Sequence, residues 1–259
     1  MALVDQGRAP APVLRAVVRA GPAVRRGIVE LTLIAALYGL YRLGRVLARG
    51  QEAVAHENAV DVHHLERFLL LPSEASVQGL VPSDTLLHLA NLYYVSAHFP
   101  SIVAFLVWGY LFRPRAEYQW ARNLLIGVTG AALVVHVVYP LAPPRMFPQW
   151  GFTDTMAALG PNAYAGASGD LANQFAAMPS LHVGWAALIA YVVARTGPRW
   201  LALLVSTHVG VTFLVVVVTA NHYWLDGVVA LLLLGVAALA LRPPVPPSAP
   251  PRPPAAPAP

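Results

Sequence analysis

The chain has 259 residues, 57% of them hydrophobic and only 11% charged, whereas a soluble domain of this length carries about 25% charged residues. A single soluble core cannot absorb that deficit, because a domain of this size still needs a wettable surface; a bilayer removes the requirement, and the chain is long enough for several spans in one membrane domain. All 17 basic residues are arginine, the net charge is +5 and cysteine is absent, which excludes a disulfide framework, a thiolate metal site and a cysteine nucleophile, and the positive balance reads as the bias of cytoplasmic membrane loops, with no nucleic-acid partner implied.

Residues 1–27 hold Arg8, Arg15, Arg19, Arg25 and Arg26 and read as an Arg/Ala/Pro-rich cytoplasmic arm. No small-residue cleavage site follows the first apolar run, so the arm does not read as a signal peptide. A first span is expected over 28–48, where Arg42, Arg45 and Arg49 near its far end can snorkel to the interface. Residues 50–84 carry Glu52, Glu57, Asp61, Glu66, Glu74 and Asp84 and read as extramembrane, with an interfacial helix from His63 to Leu71. Spans two and three are expected over 85–112 and 118–139, with Arg113, Arg115 and Arg122 in or beside their turn. A long loop rich in Pro, Gly, Ala and Asn fills 140–179, and a structureless connection of that length in a compact domain is usually functional. Spans four to six follow over 180–196, 200–219 and 225–241, and the Pro-rich tail 243–259 has no core to join.

Six spans place both termini on one side. The arm, the 113–122 and 195–199 turns and the tail then share that side and hold twelve of the seventeen arginines, which makes it cytoplasmic. The expected fold is all-α: a polytopic membrane protein with a six-helix catalytic domain over 28–242, an interfacial helix and a long extracytoplasmic loop.

Three polar clusters interrupt the apolar pattern, and span counting brings them to one outer face. They are Tyr139-Pro140-Leu141-Ala142-Pro143-Pro144-Arg145, Met178-Pro179-Ser180-Leu181-His182, and Thr219-Ala220-Asn221-His222-Tyr223-Trp224-Leu225-Asp226. Pro179 and Ser180 suit the first turn of a helix, where free N–H groups and the dipole attract phosphate and the Ser180 hydroxyl adds a donor. His182, one turn in, can protonate a leaving oxygen near neutral pH. His222 and Asp226 are four apart and share one face of a helical turn, so that the carboxylate fixes the tautomer and leaves the other ring nitrogen free to attack phosphorus. Arg145 supplies a fixed positive fork for phosphate oxygens. A metal site is disfavoured: there is no cysteine, and the His-x-x-x-Asp pair lacks an evident third ligand.

Pro179-Ser180-x-His182 followed by His222-x-x-x-Asp226 resembles the second and third signature motifs of the type 2 phosphatidic acid phosphatase superfamily. With Ala142-Pro143-Pro144-Arg145 and Ser180-Leu181-His182, the pattern is closer to the inositol phosphorylceramide synthase-like branch, and the resemblance covers about residues 85–241. It implies a six-helix bundle that needs no metal or other cofactor and acts on membrane lipids: His222 as a nucleophile that becomes a phosphohistidine, Asp226 orienting it, and His182 protonating the leaving group. Two departures stand out. The superfamily's first motif, Lys-x6-Arg-Pro, has no counterpart, because the chain has no lysine and Arg113-Pro114 falls on the cytoplasmic side; the arginine six residues before the third-motif histidine is replaced by Val216. Lipid phosphatase and head-group phosphotransferase activities therefore both stay open.

Elsewhere the polar residues read as structural. His88, His136 and His208 are expected to pack or meet water, His63-His64 to form a solvated interfacial pair, and Tyr118, Trp120, Trp200 and Trp224 to anchor span ends. His98, deep in span two beside Pro100, is equally compatible with a functional and a structural place. Rival readings are a transporter, which should show internal repeats or broken-helix pairs, and a scaffold whose Pro-rich tail docks a partner.

Overall fold

The computed structural model describes residues 21–47, 50–164 and 174–244, so most of the expected arm and tail and the middle of the long loop lie outside the described residues. The described residues are helical apart from turns and one isolated parallel bridge, Leu141 to Ala176. Helix α1 spans Pro22–Leu47, α2 Glu52–Phe68, α3 Glu74–Gly79, α4 Asp84–Phe112 and α5 Arg115–Val138. After two short 3-10 turns, Pro144–Met146 and Pro148–Trp150, come α6 Thr155–Leu159, α7 Leu181–Thr196, α8 Arg199–Val218 and α9 Trp224–Ala240.

Local chemistry sets these ends. Ser83 caps α4 by accepting from the Leu86 N–H, and Asp84 follows in the first turn, where a negative charge meets the positive end of the helix dipole. The helix stops at Arg113 because Pro114 disfavours the helical conformation in the residue before it. Ser180 caps α7 in the same manner through Val183 N, and Gly197-Pro198 separates α7 from α8.

Three helices, α4, α5 and α8, are long and apolar enough to cross a membrane, which fits a membrane protein. The apolar α7 and α9 have 16 and 17 residues, or about 24 and 26 Å at 1.5 Å per residue, short of the ~30 Å hydrocarbon core. Their N-terminal ends follow the segments 176–180 and 219–223, which carry residues of the second and third clusters. Much of α4 and α8 faces outward, with Leu89, Phe99, Val107, Leu204, Val211 and Leu214 exposed, a surface suited to lipid.

Helix α7 lies at the centre, against α4, α5, α8 and α9. Close approach is possible because Gly184 carries no side chain: a Cβ there would already touch Ala230 at 3.5 Å and Val128 at 3.8 Å, and small residues are what let helix backbones pack closely in an apolar bundle. At the opposite end of the bundle from the polar clusters, Arg122 of α5 pairs with Glu30 of α1 at 2.6 Å, and the Tyr118 hydroxyl donates to the same carboxylate at 2.9 Å.

The 50–84 region differs from a helix lying loosely on the surface. Helix α2 starts at Glu52, eleven residues before the expected interfacial helix, and buries Ala55, Ala59, Val62 and Glu66 along one stripe. That stripe roofs the polar clusters, packing with Leu141, Ala142, Phe147, Phe152 and Tyr223. His63 is not part of a solvated pair: its ring stacks on Trp150 at 4.2 Å, while His64 is exposed. Nor is 140–179 structureless, since it holds both 3-10 turns and α6. The Leu141 N–H donates to the Phe175 carbonyl at 2.8 Å and the Ala142 N–H to the Ala55 carbonyl at 3.1 Å, so the loop is pinned to itself and to the roof.

Candidate active site

The structure brings all three polar clusters together beneath α2. Arg145 arrives on the first 3-10 turn, His182 on the first turn of α7, and His222 in the short link between α8 and α9. That link is a sharp turn. Ala220 has φ +52°, a left-handed conformation that costs a non-glycine residue about 1–2 kcal/mol. Surrounding hydrogen bonds hold it there: Ala220 N–H to the Val217 carbonyl at 2.9 Å, Asn221 and His222 N–H both to the Val216 carbonyl at 3.1 Å, and Arg145 N–H to the Ala220 carbonyl at 2.8 Å. Val216 thus serves through its backbone at the position where the signature pattern has an arginine.

The imidazole of His222 is fixed through one nitrogen. Nδ1 lies 2.8 Å from the Ala177 carbonyl and 3.2 Å from Asp226 Oδ2, so it carries the proton and Nε2 is left as the basic nitrogen. Asp226 is fully buried, and the same Oδ2 accepts the Tyr223 N–H at 2.8 Å. This corrects one expectation: His222 and Asp226 do not share a helical turn. The helix starts at Trp224, because the Asp226 carboxylate turns back to cap it, and that places the acid under the imidazole. The Asp226 carbonyl also accepts the Ser180 N–H at 3.0 Å, joining the second and third clusters.

His182 faces His222 with ring centroids 5.7 Å apart, edge to face. Two rings flank it: Tyr94 at 4.1 Å and His98 at 4.1 Å, the latter stacked in turn on Trp185 at 4.4 Å. His98 therefore belongs to the wall that sets the His182 ring. His136 is buried and hydrogen-bonds the Pro179 carbonyl at 3.1 Å, steadying the approach to α7. His208 meets the Tyr93 hydroxyl and His88 the Leu159 carbonyl.

Arg145 is buried, with Nε donating to Asn221 Oδ1 at 3.2 Å and its two terminal nitrogens 3.5 Å from Asp154 and Gln174. Its guanidinium lies over the Tyr164 ring at 4.1 Å, and the Tyr164 hydroxyl meets that of Tyr94 at 3.1 Å. A planar cation is thereby held next to the His222 link. Ser180 is fully buried and its oxygen caps α7; the hydroxyl proton stays available, and α7 itself offers no acceptor to the first-turn N–H groups of Leu181 and His182. Arg113, by contrast, sits at the far end of α4, bonded to Glu117 and the Thr196 carbonyl. Sequence alone does not mark Tyr94, Asp154, Tyr164, Gln174 or Asn221 as site residues; of these only Asn221 falls inside one of the three polar clusters.

Residues 60–240 match the description "PAP2 superfamily". The chain belongs to the PAP2 superfamily. Its members are generally phosphatases or phosphotransferases, so membership supports an enzyme of phosphoryl chemistry. No curated protein and no solved structure gives a significant match. The matched range takes in all three polar clusters and the second half of α2, including Val62 and Glu66 of its buried stripe.

Proposed function

We propose that this PAP2-superfamily chain is a metal-independent phosphoryl-transfer enzyme acting on lipid phosphates or phosphodiesters through a phosphohistidine at His222. The observation that carries the reading is the imidazole of His222, held at Nδ1 by Ala177 and Asp226, with His182 across from it and Arg145 tethered through the adjacent Asn221. Nε2 of His222 attacks phosphorus while the phosphorus–oxygen bond to the leaving alcohol breaks, and His182 gives that oxygen its proton. Water or an alcohol then attacks the phosphohistidine, His182 takes its proton back, and the bond to Nε2 breaks. Arg145, the Ser180 hydroxyl and the first-turn N–H groups of α7 hold the phosphoryl oxygens. A small pocket lined by Tyr93, His98, His182, His208 and Thr212 supports a place for the leaving oxygen on the α4–α8 side.

The second reading is an inositol phosphorylceramide synthase-like phosphotransferase, favoured by Ala142-Pro143-Pro144-Arg145 and by Val216 in place of the signature arginine. Either activity fits a six-span bundle with both termini cytoplasmic and the site on the extracytoplasmic side. The test is purified protein in detergent offered a panel of lipid phosphates and phospholipids, with and without inositol, read for free phosphate and new lipid products. Turnover of none of them would refute the reading, and the product separates its two forms. On the substrate that turns over, Arg145→Ala should lower kcat/KM by about 10²–10³-fold, the scale of losing a buried charge-assisted donor to a developing anion, with Arg145→Lys recovering only part because the bidentate fork is gone. Full activity in Arg145→Ala would remove Arg145 from the phosphate site.

A further inference from the structure

Two acidic side chains are buried outside the catalytic set. Glu66 of α2 and Glu74 of α3 are both fully inaccessible, which is rare for carboxyl groups and costly unless hydrogen bonds are gained in return. Both spend an oxygen on the same target. Glu66 Oε1 accepts the Leu225 N–H at 2.8 Å, and Glu74 Oε1 faces the Trp224 N–H at 3.4 Å. These are the first two residues of α9, whose leading N–H groups have no partner within the helix. His222 lies two residues before this turn and Asp226 one residue after it. The strap is anchored at its other end: Trp224 Nε1 donates to the Pro72 carbonyl at 2.8 Å, and Arg67 lies 3.4 Å from Glu74 and 3.9 Å from Glu66 Oε2.

We infer that Glu66 and Glu74 are positioning residues, which strap the α2–α3 roof to the start of α9 and so hold the His222–Asp226 link in its working geometry. The inference deepens the proposed function and rests on it for its kinetic consequences. Burial, and then the facing Glu74 carboxyl, push the Glu66 carboxyl up to about 9. The charged and titratable groups that face it are Glu74, Arg67, Asp226 and Tyr223, with His63 on the preceding turn of α2; burial and Arg67 hold the His63 imidazole below its usual range. A carboxyl group with a raised value in the folded chain contributes its stabilisation in full below the ordinary carboxyl range, and that contribution is lost as pH rises through about 9. Above that point two buried carboxylates oppose each other and the strap opens.

Glutamine is the informative replacement, because it stays neutral, its carbonyl accepts the Leu225 N–H and its amide donates toward Glu74. Glu66→Ala should lower kcat about 10–100-fold at pH 7 with KM changed less than about twofold, the loss that accompanies removal of a group orienting a reactive residue. Glu66→Gln should keep wild-type kcat at pH 7 and lack the further loss that the wild type shows as pH rises through about 9, beyond the alkaline decline from deprotonation of His182 that both share. Hydrogen exchange of peptides covering 219–228, corrected for the intrinsic rate at each pH, gives a second readout independent of turnover: protection should be lost in Glu66→Ala at pH 7, lost in the wild type above pH about 9, and kept in Glu66→Gln throughout. Undiminished kcat and protection in Glu66→Ala, a Gln variant that behaves as Ala does, or superimposable alkaline limbs in wild type and Glu66→Gln would each overturn the inference. If the wild type turns over no phosphate substrate, the functional reading fails while the exchange pattern still decides the strap.

Discussion

His222→Ala is expected to lose at least about 10³-fold in turnover on every substrate of the enzyme, because a covalent route without its nucleophile leaves only binding and electrostatic stabilisation. No neighbour takes over: the His182 ring centroid lies 5.7 Å from that of His222 and is held between Tyr94 and His98, and Asp226 caps the Tyr223 N–H through Oδ2. The variant should fold, since the left-handed turn at Ala220 is held by backbone hydrogen bonds and not by the imidazole. Rapid quench into alkaline detergent, because the phosphorus–nitrogen bond is labile to acid, with phosphorus-labelled substrate should show a covalent phosphoprotein in the wild type and none in the variant. A variant that still turns over substrate at more than about a tenth of the wild-type rate would end the covalent mechanism at this residue.

The second large effect depends on the leaving group. His182→Ala should cost about 10²–10⁴-fold on a lipid phosphate, whose departing alkoxide must be protonated. With an aryl phosphate such as p-nitrophenyl phosphate, whose leaving oxygen needs no proton near neutral pH, the loss should shrink to less than about tenfold. His222→Ala should be equally impaired with both, because attack on phosphorus is common to them. Equal losses for His182→Ala on the two substrates would assign it to binding or packing, through its stacking on Tyr94 and its contact with the tilted His98 ring.

Which residues meet was legible because counting apolar runs puts Arg145, His182 and His222 at the same ends of their helices, and helix ends follow from strong local signals such as Ser83, Ser180, Pro114 and Gly197-Pro198. How they meet was not. Spacing of four suggested a helical turn for His222 and Asp226, but the helix starts later because the acid caps it, a choice made by the Ala177 carbonyl and the α2 roof and invisible in the segment itself. The first turns of α2 are illegible in the sequence for a similar reason. Its buried stripe Ala55, Ala59, Val62, Glu66 runs among Glu52, Glu57 and Asp61, so local composition reads as solvated. Glu66 reveals its place only through Leu225, 159 residues away. Asp154, Tyr164 and Gln174 approach Arg145 from a loop with no periodicity to place them.

The two acceptors that flank Nδ1 of His222 would also set the regiochemistry of the proposed adduct. The Ala177 carbonyl is an acceptor that cannot ionise, and at 2.8 Å it demands the Nδ1–H form at every pH at which the ring is neutral. The phosphoryl group is therefore expected on the other nitrogen, as the τ isomer of phosphohistidine. Isomer-selective antibodies or phosphorus NMR of the quenched protein should find τ and not π. Asp226→Asn should slow the formation of that adduct without changing which isomer forms, because the backbone, and not the carboxylate alone, chooses the nitrogen.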